Sequence, residues 1–189
     1  DAAAAALGDS LRADTAGAIR QLRSLGFRPS IYSGDSQRVV DPIAALLNIE
    51  PARAHGHVSP EGKLRAVSRF PGPTVMIGDG VNDSAALAAA GVGIAVQGGA
   101  EASLAAADVY MARPGLGGVV ELVRTSRRAM SVVRANLAIS LTYNLLAGSL
   151  AVAGMMTPLT AAILMPLSSA MVLSLAAYAM SRGPKEGGR

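Results

Sequence analysis

From Ala135 to Ser181 the chain carries no Asp, Glu, Lys, Arg or His. So long an uncharged stretch is either membrane-spanning or the buried hairpin of a large soluble core. Length decides between them. Asn136 to Met156 is a run of apolar or weakly polar residues. At about 1.5 Å rise per residue it reaches roughly 31 Å as a helix, enough for a hydrocarbon core of about 30 Å. Leu159 to Met180 offers a second span of similar length, with Thr157-Pro158 as the turn between them. Two such spans in succession are rare in soluble cores, and a single charge at a span centre costs about 2.5–3.5 kcal/mol on insertion scales. Residues 136–180 therefore read as a transmembrane α-helical hairpin (about 136–156 and 159–180), followed by a tail at 181–189.

The charge distribution fits this reading. Residues 1–111 hold nine Lys/Arg against eleven Asp/Glu, a net −2, and residues 112–189 hold eight against two, a net +6. Five Arg lie between Arg113 and Arg134, and Arg182, Lys185 and Arg189 follow the second span, whereas the 157–158 turn has no charge. The positive-inside rule places both ends of the hairpin in the cytoplasm, so the expected location is a multi-pass protein of the cell (inner or plasma) membrane. Nucleic acid is a poor explanation for the basic part, because 3% aromatic residues offer almost no stacking platform. With no cysteine, disulfides, thiolate metal sites and a Cys nucleophile are excluded within this chain. The opening Asp1-Ala2-Ala3-Ala4-Ala5-Ala6 lacks a basic start and an initiator Met, which suggests that the chain begins inside a longer gene product.

Residues 1–114 alternate helical and strand patterns. Helices are expected over Leu11–Leu25, Ser36–Leu47, Pro60–Phe70, Asn82–Ala90 and Gly99–Ala107, with Gly26 stopping the first and Pro42 breaking or delaying the second. Strands are expected over Phe27–Tyr32, Val75–Gly78, Val92–Val96 and Val109–Met111. Alternation of this kind indicates an α/β fold with a doubly wound, mostly parallel sheet. A basic amphipathic connecting helix is expected over 115–135, with Arg124, Arg127, Arg128 and Arg134 exposed or at a lipid headgroup surface.

Chemistry concentrates in Gly78-Asp79-Gly80-Val81-Asn82-Asp83, which sets two carboxylates four residues apart around a glycine turn between a strand and a helix. Ligand crevices of open α/β sheets lie at this carboxyl edge. Asp79 and Asp83 suit a hard cation such as Mg²⁺, held by one or two carboxylates plus substrate phosphate. Ser33-Gly34-Asp35 closes another strand, where a hydroxyl and backbone N–H groups can hold a phosphoryl oxygen. Lys63, one of only two lysines, opens a helix from which it can neutralise charge in phosphoryl transfer. Gly8-Asp9-Ser10-Leu11-Arg12 is a weaker fourth element, its Asp9 equally a helix cap. His55-Gly56-His57 lacks a third ligand and reads as a surface loop.

A hydroxyl after one strand, a lysine at a helix start and Asp-x-x-x-Asp after another strand resemble, in this order, the haloacid dehalogenase-type phosphotransferases. With Gly8-Asp9 to Arg12 and the two spans, nearly the whole chain resembles the C-terminal part of a heavy-metal P-type ATPase. Ser33 stands where that family usually has Thr, and Ser84-Ala85 where it usually has Ala-Pro. The resemblance implies an incomplete Rossmann-like (haloacid dehalogenase-type) sheet, with Mg²⁺ at Asp79 and Asp83 and phosphate contacts from Ser33, Gly34, Asp35, Lys63 and Asn82. It also implies ATP as substrate of the intact pump. Tyr143-Asn144 in the first span and Met165 with Ser168-Ser169 in the second are similar to the paired motifs of the copper(I)-transporting branch. A thioether is a soft ligand suited to Cu(I), and polar groups within spans mark a pathway. Small polar residues and Met also serve plain helix packing. Pro166 is expected to free a backbone carbonyl near that pathway.

The stretch from Gly98 to Ser103 looks like the slow copper exporters linked to cytochrome oxidase assembly. The Asp-Lys-Thr-Gly-Thr strand of the family's phosphorylated aspartate does not occur in this chain. The resemblance therefore implies that the chain is inactive alone and works with an upstream part of the same pump, in lipid, with a copper chaperone as a further partner. The missing strand is central in that family's sheet. A self-contained membrane-anchored phosphatase and a non-catalytic membrane subunit are the rival readings.

Overall fold

The computed structural model describes residues 11–79, 81–97 and 105–181. The chain divides into two compact units, 1–121 and 122–189.

The first unit is built from βα alternation. Helix α1 (Thr15–Ser24) leads to strand β1 (Ile31–Tyr32), α2 (Gln37–Leu46), β2 (Ala54–His55) and α3 (Pro60–Ser68). Strand β3 (Val75–Gly78), a 3₁₀ turn at Val81–Asp83, α4 (Ser84–Ala89), β4 (Val92–Val96) and β5 (Val109–Met111) follow. All strand pairs are parallel, but they form two sheets: β1 with β2, and β3-β4-β5 with β4 central. The expected incomplete parallel sheet is thus present as two short pieces.

Each half has its own apolar centre. Ile19 of α1, Val40 and Ala44 of α2, Leu47, Ile49 and Ala54 form one cluster, with Leu11, Ala16, Ile31, Ile43 and Leu116 packed against it. In the other half, Ala86 and Leu87 of α4 and Ile94 and Ala95 of β4 are buried. Spacing accounts for α1, since residues 18, 19 and 22 fall on one helical stripe and all three are buried. Gly26 ends it as the sequence suggests: its N–H reaches the Arg23 carbonyl at 2.8 Å, and Phe27 N–H the Leu22 carbonyl at 3.0 Å.

Several boundaries differ from the sequence reading. Helix α1 begins at Thr15 rather than Leu11. Strand β1 keeps only the last two residues of Phe27–Tyr32: Pro29 has no N–H for a ladder, and the Phe27 N–H turns back to the Leu22 carbonyl. Helix α2 runs through Pro42 unbroken. That proline is exposed, so the Arg38 carbonyl it leaves without an N–H faces water. The expected helix over 82–90 divides into the 3₁₀ turn and α4. The helix expected over Gly99–Ala107 lies largely outside the described residues.

The expected connecting helix and first span are one continuous helix, α5 (Gly117–Val152). The change from arginines to apolar side chains at Arg134 leaves the backbone hydrogen bonds untouched. Among the described residues, α5 is long and apolar enough to cross a membrane. It ends in a Schellman motif, with Gly154 N–H on the Ala151 carbonyl at 3.1 Å and Met155 N–H on the Leu150 carbonyl at 3.0 Å. The turn therefore begins before the expected Thr157-Pro158. Helix α6 (Pro158–Ser181) follows. Its start is a reciprocal cap: Thr157 N–H donates to Thr160 Oγ1 at 3.0 Å and Thr160 N–H to Thr157 Oγ1 at 3.2 Å. Pro166 lies inside α6, which continues past it.

Candidate functional site

Strand β3 ends at Gly78, and the chain turns through Asp79 into the 3₁₀ turn that delivers Asp83. Asp83 is the buried charged residue among those described, 7% exposed, and its Oδ1 accepts a hydrogen bond from Lys63 Nζ at 2.7 Å. Both side chains are largely enclosed, 14% exposed for Lys63 and 10% for Asp83. Gly78 makes the seat for this carboxylate. A Cβ there would lie 2.7 Å from Asp83 Oδ2 and 2.8 Å from its Cβ. The sequence Gly78-Asp79 thus lets the acid lie against the strand end, where any side chain would displace it.

Lys63 comes from the first turn of α3. Ser59 caps that helix by accepting the Gly62 N–H at 3.1 Å, and Pro60 occupies the first helical position. Glu61 in the same turn is held below the usual carboxylate range. Backbone N–H hydrogen bonding is the main cause, followed by the Ser59 hydroxyl; desolvation opposes them, and the charge of Arg65 adds a lesser lowering. Helix α3 packs on α4 and on the 81–83 turn, which brings Lys63 to Asp83 across twenty positions of sequence.

The Ser33 turn is the other half of the candidate site. Ser33 Oγ donates to Asp35 Oδ2 at 2.7 Å and accepts the Asp35 N–H at 3.2 Å. Its backbone is clasped on both sides: Ser33 N–H binds the His55 carbonyl at 2.9 Å, Val58 N–H binds the Ser33 carbonyl at 2.8 Å, and His57 N–H binds the Asp35 carbonyl at 2.6 Å. Gln37 braces the same corner, accepting from Gly56 N–H at 2.6 Å and donating to the Ala54 carbonyl at 2.9 Å. His55 is not in a loop. It lies in β2, with its ring stacked on Tyr32 at 4.9 Å between centroids. The sequence reading missed β2 because two residues carry no periodicity.

The structure thus joins Lys63 to Asp83 and Ser33 to Asp35, each at the carboxyl end of a parallel strand. Asp79, Asn82, Gly34 and Asp35 are exposed near these turns. Among the described residues no three His, Cys, Asp or Glu converge as a preformed cage. The donor set, Asp79 and Asp83 flanking the end of β3, is of the chemistry that suits Mg²⁺, which takes one or two carboxylates and completes its shell with water and substrate phosphate. Gly8, Asp9, Gly80 and the Gly98–Ser103 stretch lie outside the described residues.

In the second unit, Tyr143 is half-buried; Asn144 is exposed and lines a groove along α5 with Leu145, Gly148, Ser149, Val152 and Ala153. Ser169 is exposed on α6, while the side chains of Met165 and Ser168 lie outside the description. Asn136 Oδ1 is a buried oxygen without a hydrogen-bond partner. The sequence reading did not single it out, although it is the first polar residue after the last arginine before the spans.

The family profile described as haloacid dehalogenase-like hydrolase matches residues 1–91. The nitrogen fixation protein FixI of Rhizobium leguminosarum bv. viciae is 39% identical over 169 residues, 88% of this chain and 22% of that protein. Copper-transporting ATPase 2 of Rhizobium meliloti (strain 1021) is 35% identical over 177 residues, 92% of this chain and 21% of that one. The crystal structure of a zinc-transporting PIB-type ATPase in its E2.Pi state superposes with a TM-score of 0.85 at 31% identity, over 90% of this chain and 28% of that chain. The chain thus spans about a fifth of the length of these curated relatives. Over about nine-tenths of its length the chain is similar to part of heavy-metal P-type ATPases, and the haloacid dehalogenase-like match falls on its α/β unit.

Proposed function

We propose that this chain is the phosphate-handling and membrane-hairpin part of an ATP-driven heavy-metal exporter, with Cu(I) as the transported ion. The enclosed Lys63–Asp83 pair at the end of β3 carries the reading. A buried carboxylate held by a lysine at a sheet's carboxyl edge is a costly arrangement for structure alone and a useful one for phosphoryl transfer.

Asp79 and Asp83 would hold Mg²⁺, which when bound neutralises charge on the transferring phosphoryl group. Lys63 holds Asp83 aimed through its 2.7 Å hydrogen bond and adds positive charge beside the phosphate. Ser33 Oγ and the N–H groups of its turn receive a phosphoryl oxygen, with Asn82 as a further donor and Gly34 leaving the backbone accessible. The carboxylate that accepts the phosphoryl group comes from outside this sequence, so the chain alone does not hydrolyse ATP. Tyr143, Asn144, Met165, Ser168 and Ser169 would line the metal pathway of α5 and α6. The hairpin would lie in the cell membrane with the α/β unit cytoplasmic, beside the rest of the pump and lipid, supplied by a copper chaperone.

In the intact pump, Asp79→Ala is expected to abolish Mg²⁺-dependent phosphoenzyme formed from ATP. Normal phosphoenzyme levels in that variant would withdraw the site assignment. Metal identity is read separately, by comparing ATPase stimulation by Cu(I) and by Zn²⁺. Stimulation by zinc alone would replace copper in this reading and leave the phosphate site intact.

A further inference from the structure

The first turn of α5 is fixed by a residue 103 positions earlier in sequence. Gly117 N–H donates to Asp14 Oδ2 at 2.9 Å. Asp14 is the N-cap residue of α1, yet its carboxylate makes no cap to α1 and turns instead to the start of α5. An anion at a helix N-terminus is favoured by the helix dipole and satisfies an N–H that has no partner within the helix.

The surroundings are shaped for this contact. Gly115 is buried with φ +94°, and a Cβ on it would collide with the Asp14 carboxylate, 2.8 Å from both Cγ and Oδ1. A Cβ on Gly118 would collide with Met111 Cε. Leu116 packs on the apolar cluster of α1 and α2, and Val119 and Val120 are 2% and 4% exposed. The start of α5 is therefore held closely, with the Asp14 carboxylate as a polar anchor.

That anchor stands on the same frame as the Ser33 turn. Ile19 of α1 shares its cluster with Val40 and Ala44 of α2, and α2 begins directly after the Ser33-Gly34-Asp35 turn. Helix α5 in turn runs without a break to the Tyr143-Asn144 pair. We infer that Asp14 is a positioning residue that ties the first turn of α5 to the frame of the phosphate turn, so that phosphoryl chemistry is coupled to metal movement. This rests on the pump reading above.

The test uses the full-length pump with Asp14→Ala, Asp14→Asn and Gly117→Pro. Asp14→Ala removes the acceptor, whereas Asn keeps an oxygen for the Gly117 N–H and is as good a cap. Proline deletes the donor from the other side and is tolerated at a first helical position. In Asp14→Ala and Gly117→Pro, Mg²⁺-dependent phosphoenzyme should form at the wild-type level while metal moved per ATP falls about fivefold or more. Amide exchange at residues 117–120 should quicken about tenfold in Asp14→Ala. Asp14→Asn should keep both readouts near wild type. A wild-type transport ratio in either disrupting variant overturns the inference, and Gly117→Pro decides the matter if Asp14→Ala does not fold. A wild-type protein that forms no phosphoenzyme withdraws the pump reading and the coupling role with it. Unchanged amide exchange in Asp14→Ala beside normal phosphoenzyme withdraws the anchor alone.

Discussion

Lys63→Met is expected to lower the stability of the α/β unit by about 3 kcal/mol, the low end of the range for breaking a buried ion pair by removing one partner. Methionine keeps most of the lysine stem's packing, so the loss reports the charge. Asp83 would remain enclosed, with its Oδ1 deprived of the ammonium now 2.7 Å away. The measurement is amide exchange across β3 and α4, which should quicken on the order of a hundredfold. Adding Asp83→Asn removes the orphaned charge and should recover part of the loss, since neighbouring sites are not additive. Millimolar Mg²⁺ should also recover part of it in Lys63→Met and none in the double variant. Wild-type exchange in Lys63→Met would mean that the pair carries no weight.

The second large effect is expected at Gly93, inside β4. An alanine Cβ there would lie 2.6 Å from the carbonyl oxygen of Leu87 and 3.0 Å from its carbonyl carbon. Both are backbone atoms at the end of α4, and neither can swing aside as a side chain would. The same glycine is tied to Asp108, its N–H donating to Oδ2 at 2.8 Å and its carbonyl accepting the Asp108 N–H at 2.9 Å. Gly93→Ala should therefore cost about 3 kcal/mol, the upper part of the overpacking range. Gly148→Ala, with nothing within 4 Å of its Cβ, is the control. Thermal unfolding of both variants gives the comparison, and equal midpoints would show that α4 yields to the added methyl group.

These two sites also show where sequence reading stops. Strands β3, β4 and β5 stand where their apolar runs place them, and Gly or Pro lies within two residues of both ends of β3 and β4. Strand β2 was invisible, as two residues that pair only because β1 lies beside them leave no local signal. The α/β character and the turns that carry Asp79 and Ser33 were legible, since glycines mark turns and strands mark their edges. The bond from Lys63 to Asp83 was not, because it depends on how α3 packs against the 81–83 turn. Asp14 was less legible still, a plain acid before a helix whose partner lies 103 residues on. The continuity of the helix past Arg134 was not legible for a different reason. Side-chain charge tells which medium surrounds a helix, but backbone hydrogen bonding decides where it ends, and Gly154 is where that bonding changes hand.

The separation into β1-β2 and β3-β4-β5 has a consequence for how the α/β unit opens. A single sheet transmits cooperativity from strand to strand through its ladder, so its helices gain and lose protection together. Among the described residues no ladder joins the two sheets, and buried side chains lie in both halves, Ile19, Val40 and Ala44 in one and Leu87, Ile94 and Ala95 in the other. Such groups behave as two foldons, each with its own opening free energy. The Ser33 turn belongs to one and Asp83 to the other. In this chain taken alone the site is therefore whole only when both pieces are closed, and a central strand supplied by the upstream part of the pump would tie them into one sheet.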